Sequence, residues 1–559
     1  MNLGIDFGST YSMMSFYDAA NRLITPIQTE TGSPYIPSVA CLDYGDELIT
    51  GQQAKDFING EPLAVAYRAF KMLLTEGDPQ LLEQMHYTRE HNPRYIAKEF
   101  LKQMLLLARE GRVNKFERVV ICIPQVWNTD IYTMSGKAIL QEICMELKEE
   151  LNILDKVTVV SEPAAASAFY AHEYLKNTKQ DFSERMLIVD YGGGTLDISL
   201  TKVNSIPGKA GSTSMEIDVE GETGAGENKE RQIGSAGIAY LEGTVRLALE
   251  EAGFTAVPND GAFVRAVNLF ESALTGNGAN RIRQKVRLEC NNDISRLEYD
   301  PDVLTTLFYR GTRIPLTYDI LYRSYQNIIA PVLEEQLDKI RRDYLNPINL
   351  DPRLHPDKLK LALVGGFGKF ELVRQQVYDF FDMVPQLDES GSEDAICRGA
   401  ALLADGVVTL RKCAKLSIGL VVDIGGEKTF DFAITKGMDL DYDKVCYMSI
   451  PVVFGGELTG PNAATWEFAI GRGSNLDFAH RLIPLAPTQE KLNQIQPGRY
   501  YTFGFSMDDS GIYSIHVIPT DAYGEVRYEA EGKKIALGNF SDIFGPNVSY
   551  EKTEVIKRL

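Results

Sequence analysis

Residues 187–200, LIVDYGGGTLDISL, decide how the rest of the chain is read. An apolar run from Met186 to Val189 ends on Asp190, the turn Gly192, Gly193, Gly194 and Thr195 follows, and LDISL returns as a second strand. This pattern predicts a hairpin with a glycine tip. The same plan opens the chain: residues 3–7 are an apolar strand carrying Asp6, Gly8-Ser9-Thr10 is the turn, and YSMMSFYD is a strand-length run. The two copies lie about 184 residues apart. Such a spacing predicts a duplicated domain, since solenoid repeats recur every roughly 20–50 residues.

Between the copies, RVVICIP (118–124) reads as a strand, and residues 99–108 and 135–150 read as helices. VTVVSEPAAASAFYAHEYL reads as a strand, a break at Pro163 and an alanine-rich helix, with proline tolerated in its first turn. Residues 204–232 are rich in Gly, Ser, Glu and Lys, and the alternation of MEIDVEG predicts loop-tipped strands there. Helical stretches around NRIRQKVRLE and TYDILYRSYQNII follow, then LKLALVGGFGKFELVRQQVYDFF as strand, glycine turn and helix, then EDAICRGAALLADGVV as a helix. Strands alternating with helices predict an α/β layer architecture. From residue 415 the texture changes: LSIGLVVDI, TFDFAIT, YYTFGFSM and IYSIHVIP alternate between Gly, Asp, Asn and Pro, which predicts a separate β-rich domain. Asn547-Val548-Ser549 matches a glycosylation acceptor, for which chance occurrence in a cytosolic chain is the expected reading.

A length of 559 residues predicts three or four domains or subdomains of about 150 residues each. With 44% hydrophobic and 24% charged residues the composition is that of a globular protein. A formal charge of -20 argues against a broad basic surface, so neither nucleic acid nor an anionic membrane is an expected partner. Seven scattered cysteines without a Cys-x-x-Cys pair, and six dispersed histidines, suggest neither a disulfide framework nor a zinc site. No basic segment precedes LGIDF and no apolar run reaches a membrane span, so a cytoplasmic location is expected.

Three glycine turns, each after an apolar strand, carry the chemistry: Gly8-Ser9-Thr10, Gly192-Gly193-Gly194-Thr195 and Gly365-Gly366-Phe367-Gly368. Glycine lets backbone N–H groups approach phosphate closely, and Ser or Thr adds a hydroxyl donor. None is a Walker loop and none has the Gly-x-Gly-x-x-Gly spacing of a dinucleotide fold. Asp6 and Asp190 end their strands just before the turns, where carboxylates can hold a magnesium ion largely through its water. Asp197 is a further candidate. Turn capping is the alternative for any one aspartate, and the duplication favours the metal.

GIDFGSTYS, PSV (37–39), RAFKMLL, VVICIPQVWN, VVSEPAAASAFYA, LIVDYGGGTLDISL, LALVGGFGKFELV and EDAICRGAALLADG resemble, in order and spacing, the nucleotide-binding domain of the Hsp70 (DnaK-like) chaperone family. The resemblance implies a duplicated actin-like (ribonuclease H-like) ATPase over residues 1–405, with lobes at about 1–183 and 184–405, that binds ATP or ADP with Mg2+. It implies that Gly8, Ser9, Thr10 and Tyr11 wrap the phosphates opposite Gly192, Gly193, Gly194 and Thr195, and that Asp6 and Asp190 organise the hydrated magnesium. Lys71 matches the lysine that orients the attacking water, and Glu162 matches a carboxylate on the metal's hydration shell. The resemblance also implies that Gly365, Gly366, Phe367 and Lys369 line the adenosine side, with Lys285 over the base; a surface lysine is the alternative for Lys285.

AKLSIG and residues 498–526 resemble parts of the family's peptide-binding β-domain, which implies a reduced substrate module over 415–559 after a short linker at 406–414. Unfolded or extended polypeptide is the implied partner, adding along a strand edge with Ile424, Phe430 and Phe432 as apolar contacts or, alternatively, as core. The sequence departs from the family pattern in several places. Tyr132 replaces an arginine eight residues after Pro124, Phe367 and Lys369 replace serine and arginine, and Ile282 replaces an acid. VVTL (407–410) stands in for the linker, and nothing resembles the helical lid. The expected function is an Hsp70-like chaperone ATPase. The alternatives are a nucleotide-binding scaffold with little turnover or a small-molecule kinase of the same superfamily.

Overall fold

In the computed structural model the described residues are 1–61, 64–110, 112, 114–129, 135–178, 185–207, 213–226, 236–257, 261–353, 355, 358–382, 392–414, 416–441, 444–453, 466–471, 481–485, 493–526, 533–539 and 557–558. They fall into two compact units: Met1–Val126 with Gln141–Leu410, and Trp127–Leu140 with Arg411–Leu559. Tyr132 and Asn547 lie outside the described residues.

The first unit is mixed α/β, with two larger sheets that share a plan. In one, β1 (Asn2–Asp6) runs antiparallel to β2 (Tyr11–Asp18), which carries β3 (Leu23–Pro26) on its outer edge. On its other side β1 lies parallel to β4 (Phe116–Ile123), and β4 lies parallel to β5 (Leu154–Ser161). In the other, β6 (Arg185–Tyr191) and β7 (Leu196–Pro207) form the antiparallel pair and β8 (Thr213–Ala225) extends it. Here β6 lies parallel to β9 (Leu359–Val364), and β10 (Val408–Leu410) edges β8. Strands β1 and β6 are central and covered on both faces, so they read as unbroken apolar runs. Leu3, Ile5, Leu187, Ile188 and Val189 have no exposed surface.

Helices cover these sheets. Alanine-rich α1 (Glu162–Thr178) follows β5 directly, and α2 (Gly237–Glu251), α3 (Gly261–Leu274), α4 (Gly276–Gln284) and α5 (Glu371–Phe381) belong to the later half. Small residues in α6 (Ala395–Asp405) let it pack close: a Cβ on Gly399 would stand 1.7 Å from the Ala165 carbonyl oxygen of α1. Residues 408–410, expected within a linker, are instead strand β10, because the β-branched Val408 is fully buried and pairs with Met215.

The second unit is β-rich. One sheet runs β15 (Arg481–Leu485), β14 (Trp466–Gly471), β11 (Ser417–Ile424), β12 (Glu427–Ile434), β19 (Lys557–Arg558). The other runs β13 (Cys446–Tyr447), β16 (Tyr500–Met507), β17 (Tyr513–Pro519), β18 (Ile535–Asn539). Their inner faces meet in a core of Ile418, Leu420, Ile434, Phe468, Phe503, Phe505, Ile515 and Val517. Phe430 and Phe432 are core and not exposed contacts: they pack on each other and on Ala469. The side chain of Ile424 lies outside the described residues. All seven cysteines are free thiols. No helix among the described residues is long and apolar enough to cross a membrane.

Candidate functional site

A cleft of about 770 Å³ opens in the first unit above the ends of β1 and β6. Its floor and walls include Asp6, Gly8, Ser9, Thr10, Tyr11, Lys71, Glu162, Asp190, Gly192, Gly193, Gly194 and Thr195. Gly365, Gly366, Phe367 and Lys369 close the far side. Chain segments separated by hundreds of residues therefore line one cavity of the size that small ligands occupy.

The two hairpin tips face each other at close range. A Cβ on Gly193 would fall 1.9 Å from Thr10 Oγ1, and one on Gly194 would fall 2.4 Å from Ser9 Oγ. A side chain at either position would displace those hydroxyls, which accounts for Gly193 and Gly194; at Gly192 a Cβ would meet only the Thr195 carbonyl oxygen, at 3.8 Å. Local hydrogen bonds fix each tip. Ser38 donates its hydroxyl to the Gly8 carbonyl at 2.7 Å and its amide to the Thr10 carbonyl at 2.8 Å, which gives PSV its purpose. The Gly237 and Ile238 amides at the start of α2 donate to the Gly192 and Gly193 carbonyls at 3.2 and 2.8 Å. Gly365 lies at φ +79°, a left-handed conformation, and brings its backbone against Asp190.

Charge is concentrated on the floor. Lys71 Nζ donates to Glu162 Oε1 at 2.6 Å, and the two side chains are only 2% and 8% exposed. Burial, reinforced by the Glu162 charge and opposed by Lys71, pushes Asp6 up to about 7. Burial and the Glu162, Asp197 and Asp6 charges push Asp190 well above the carboxylate range. Asp197 is pushed up to about 8 by burial and Glu162, although Thr195 and the Val126 amide, at 3.2 Å, bond to its carboxylate. Asp197 sits beneath the second tip, paired with Asp190 across β6 and β7, and does not line the cleft.

One lysine faces four carboxylates, and Asp190 Oδ2 and Asp197 Oδ2 are buried without hydrogen-bond partners. A cation of two positive charges fits that deficit. Among the described residues no closed set of three ligating groups converges. The donor set therefore fits a divalent cation that keeps most of its own water better than one bound directly by protein ligands.

The adenosine-side expectation needs one correction. Lys285 does not reach the cleft: its ammonium binds Glu289 at 2.6 Å, Asp300 at 2.9 Å and Asp302 at 2.7 Å, beside the Tyr318 ring. Gly276, Ala279 and Arg283 line the cleft at helical spacings of three and four residues, and a residue two further on points away. Arg283, which the sequence reading missed, is held by Glu371 at 3.3 Å, and its spacing from Gly276 was the available signal. Tyr35 and Glu393 were also missed. Tyr35 donates to Glu393 Oε2 at 2.5 Å, and Lys369 donates to Glu393 Oε1 at 2.8 Å, so both cleft-lining residues join the third glycine turn.

Together these features define a mixed α/β protein whose glycine hairpins and buried carboxylates suit a metal-bound phosphate ligand. No family model matches the chain. Similar curated proteins are a heat shock protein homolog of Encephalitozoon cuniculi, 23% identical over 72% of this chain and 63% of that protein, and the chaperone protein DnaK of Carsonella ruddii, 22% identical over 72% and 62%. A heat shock protein of Pyricularia oryzae is 26% identical over 38% of this chain and 36% of its own length. The chain is a divergent relative of these Hsp70-family chaperones and spans less than two thirds of their length.

Proposed function

We propose that the chain is an Hsp70-like molecular chaperone ATPase that hydrolyses Mg-ATP in this cleft. Residues 1–405 act as a duplicated, two-lobed actin-like ATPase, and the β-rich part binds extended polypeptide. Phosphoryl transfer of this kind depends on positioning and charge stabilisation, and needs little covalent chemistry from the protein. Ser9, Thr10, Gly193, Gly194 and Thr195 hold the phosphates from two sides. Lys71, kept dry and oriented by Glu162, positions the water that attacks the γ-phosphorus as ADP leaves. When bound through Asp6 and Asp190, magnesium supplies positive charge to the phosphate oxygens. Phe367 and Lys369 face the nucleoside, and Arg283 takes the place expected for Lys285. A cytoplasmic location suits this activity.

The observation that carries this reading is the buried Lys71–Glu162 pair in the same cleft as two opposed glycine tips. Its test is ATP turnover measured with and without an unfolded polypeptide. Stimulated phosphate release supports the chaperone ATPase. Tight nucleotide binding without turnover would favour a scaffold, and phosphate transferred to a metabolite would favour a kinase.

A further inference from the structure

Helix α5 begins on a carboxylate that the phosphate chemistry of the cleft does not use. Glu371 is the first residue of that helix and is only 6% exposed. An acid in a first helical turn is ordinary, since it suits the positive end of the helix dipole. Three arginines gathered on one buried carboxylate are not. Arg283 donates its Nε to Glu371 Oε2 and Arg287 donates its Nε to Glu371 Oε1, each at 3.3 Å, while Arg374 Nε lies 3.6 Å from Oε2. Arg374 belongs to α5 itself, whereas Arg283 stands in the last turn of α4 and Arg287 just beyond it. Glu371 therefore ties the end of α4 to the helix that follows the third glycine turn.

Of the three arginines, only Arg283 is among the cleft-lining residues, and its side chain is 37% exposed. The wall around it is made by Leu274, Gly276 and Ala279 with Gly365, Gly366 and Phe367, none of which has a side chain that donates or accepts a hydrogen bond. A planar ring held there gains more from stacking than from side-chain contacts to its edges. An unrestrained arginine loses rotamer freedom when it stacks, and that loss subtracts from affinity. A carboxylate bonded at Nε removes most of the freedom beforehand, yet leaves both terminal amino groups and the flat face of the guanidinium for a ligand.

We infer that Glu371 is a positioning residue: it fixes the plane of the Arg283 guanidinium on the nucleoside side of the cleft and so sets a preference for nucleotides with a two-ring, purine-type base. A stacked cation gains with the π surface it covers, and a two-ring base presents more of it than a one-ring base. Glu371 acts only through Arg283. This inference rests on the nucleotide reading of the cleft.

Calorimetric titration of the full chain with ATP and, separately, with UTP tests it. Glu371→Leu is expected to weaken ATP binding about three- to tenfold, the fold-change for leaving one rotamer-rich side chain to be ordered by the ligand, and to leave UTP binding within about twofold. The ATP-to-UTP affinity ratio then narrows. Glu371→Gln keeps the volume and one acceptor oxygen, so it should narrow the ratio by a smaller factor, and it carries the test where the leucine variant fails to fold. Arg287→Ala, which removes an ion pair from the same carboxylate away from the cleft, should leave the ratio unchanged. In an Arg283→Ala background the Glu371 substitutions should alter the ratio by less than about twofold, because their effect passes through the missing side chain. A ratio that Glu371→Gln and Glu371→Leu do not move, or that they narrow equally with and without Arg283, overturns the inference, since a merely structural role at the start of α5 predicts one of those results. ATP bound with an unmoved ratio sinks this inference alone, whereas no ATP binding by the unmodified chain sinks the nucleotide reading beneath it.

Discussion

The sharpest prediction concerns Lys71→Ala. Lys71 Nζ and Glu162 Oε1 stand 2.6 Å apart, which at an effective dielectric of about 20 corresponds to a Coulomb attraction of roughly 6 kcal/mol. Burying both charges offsets much of that gain. The net cost of removing one partner of such a pair is about 3–5 kcal/mol, because the other charge stays buried and unpaired. Here Glu162 would also be left beside Asp6 and Asp190, whose carboxyls its charge already pushes up. If Lys71 positions the attacking water and stabilises the charge that develops, turnover should fall by about 10²–10³-fold, the usual effect of deleting one preorganised electrostatic contact. Single-turnover hydrolysis at saturating Mg-ATP reads that loss, and circular dichroism with a fluorescent nucleotide reports whether fold and binding survive. A chain that stays folded, binds nucleotide and turns over within about threefold of the unmodified protein would refute the role given to Lys71.

Other consequences follow from the same geometry. Gly193→Ala places a methyl group 1.9 Å from Thr10 Oγ1, so the Thr10 side chain or the tip itself must shift; nucleotide affinity measured by calorimetry should drop about tenfold, and an unchanged affinity would mean that Thr10 and the second tip do not grip the phosphates together. Arg283→Ala should weaken nucleotide binding several-fold while Lys285→Ala leaves it within about twofold, because only the former lines the cleft; the reverse order would restore the sequence-based assignment. His516, buried at 2.9 Å from Ser506 Oγ, is pushed down to about 4 by burial and by Lys534. An unfolded histidine titrates near 6.5 and binds the proton more readily, so this group's contribution is fully present above that value and is lost as pH falls toward 4. It amounts to at most about 3 kcal/mol. His516→Gln should flatten the β-rich unit's stability between pH 6.5 and 4 in urea titrations, and an identical slope would exclude His516 as its source.

Much of the cleft was legible in the sequence because its chemistry is carried by local pattern. An apolar run, an aspartate and a glycine turn form one short-range unit, and its recurrence exposed the paired hairpins at Asp6 and Asp190. What the pattern could not supply was direction. Lys285 looked like a base contact, but the face of α4 presented to the cleft is fixed by packing and runs through Gly276, Ala279 and Arg283. The Tyr35–Glu393–Lys369 chain was equally hidden, since its members come from three distant segments and no spacing rule joins them.

The sequence by itself determined the alternating α/β elements, the three glycine turns, the aspartates Asp6 and Asp190 beside two of them, and a β-rich C-terminal part, because these depend on backbone conformation and side-chain periodicity within a few residues; Lys71 and Glu162 stood out only through the family resemblance. Only the tertiary structure decided that Lys71 and Glu162 pair away from water, that Gly193 and Gly194 lie against the Ser9 and Thr10 hydroxyls of the first tip, that residues 408–410 complete a sheet, and that Lys557–Arg558 lies along β12. Each of those is a contact between segments far apart in the chain, set by how whole layers pack, and no window of sequence contains it.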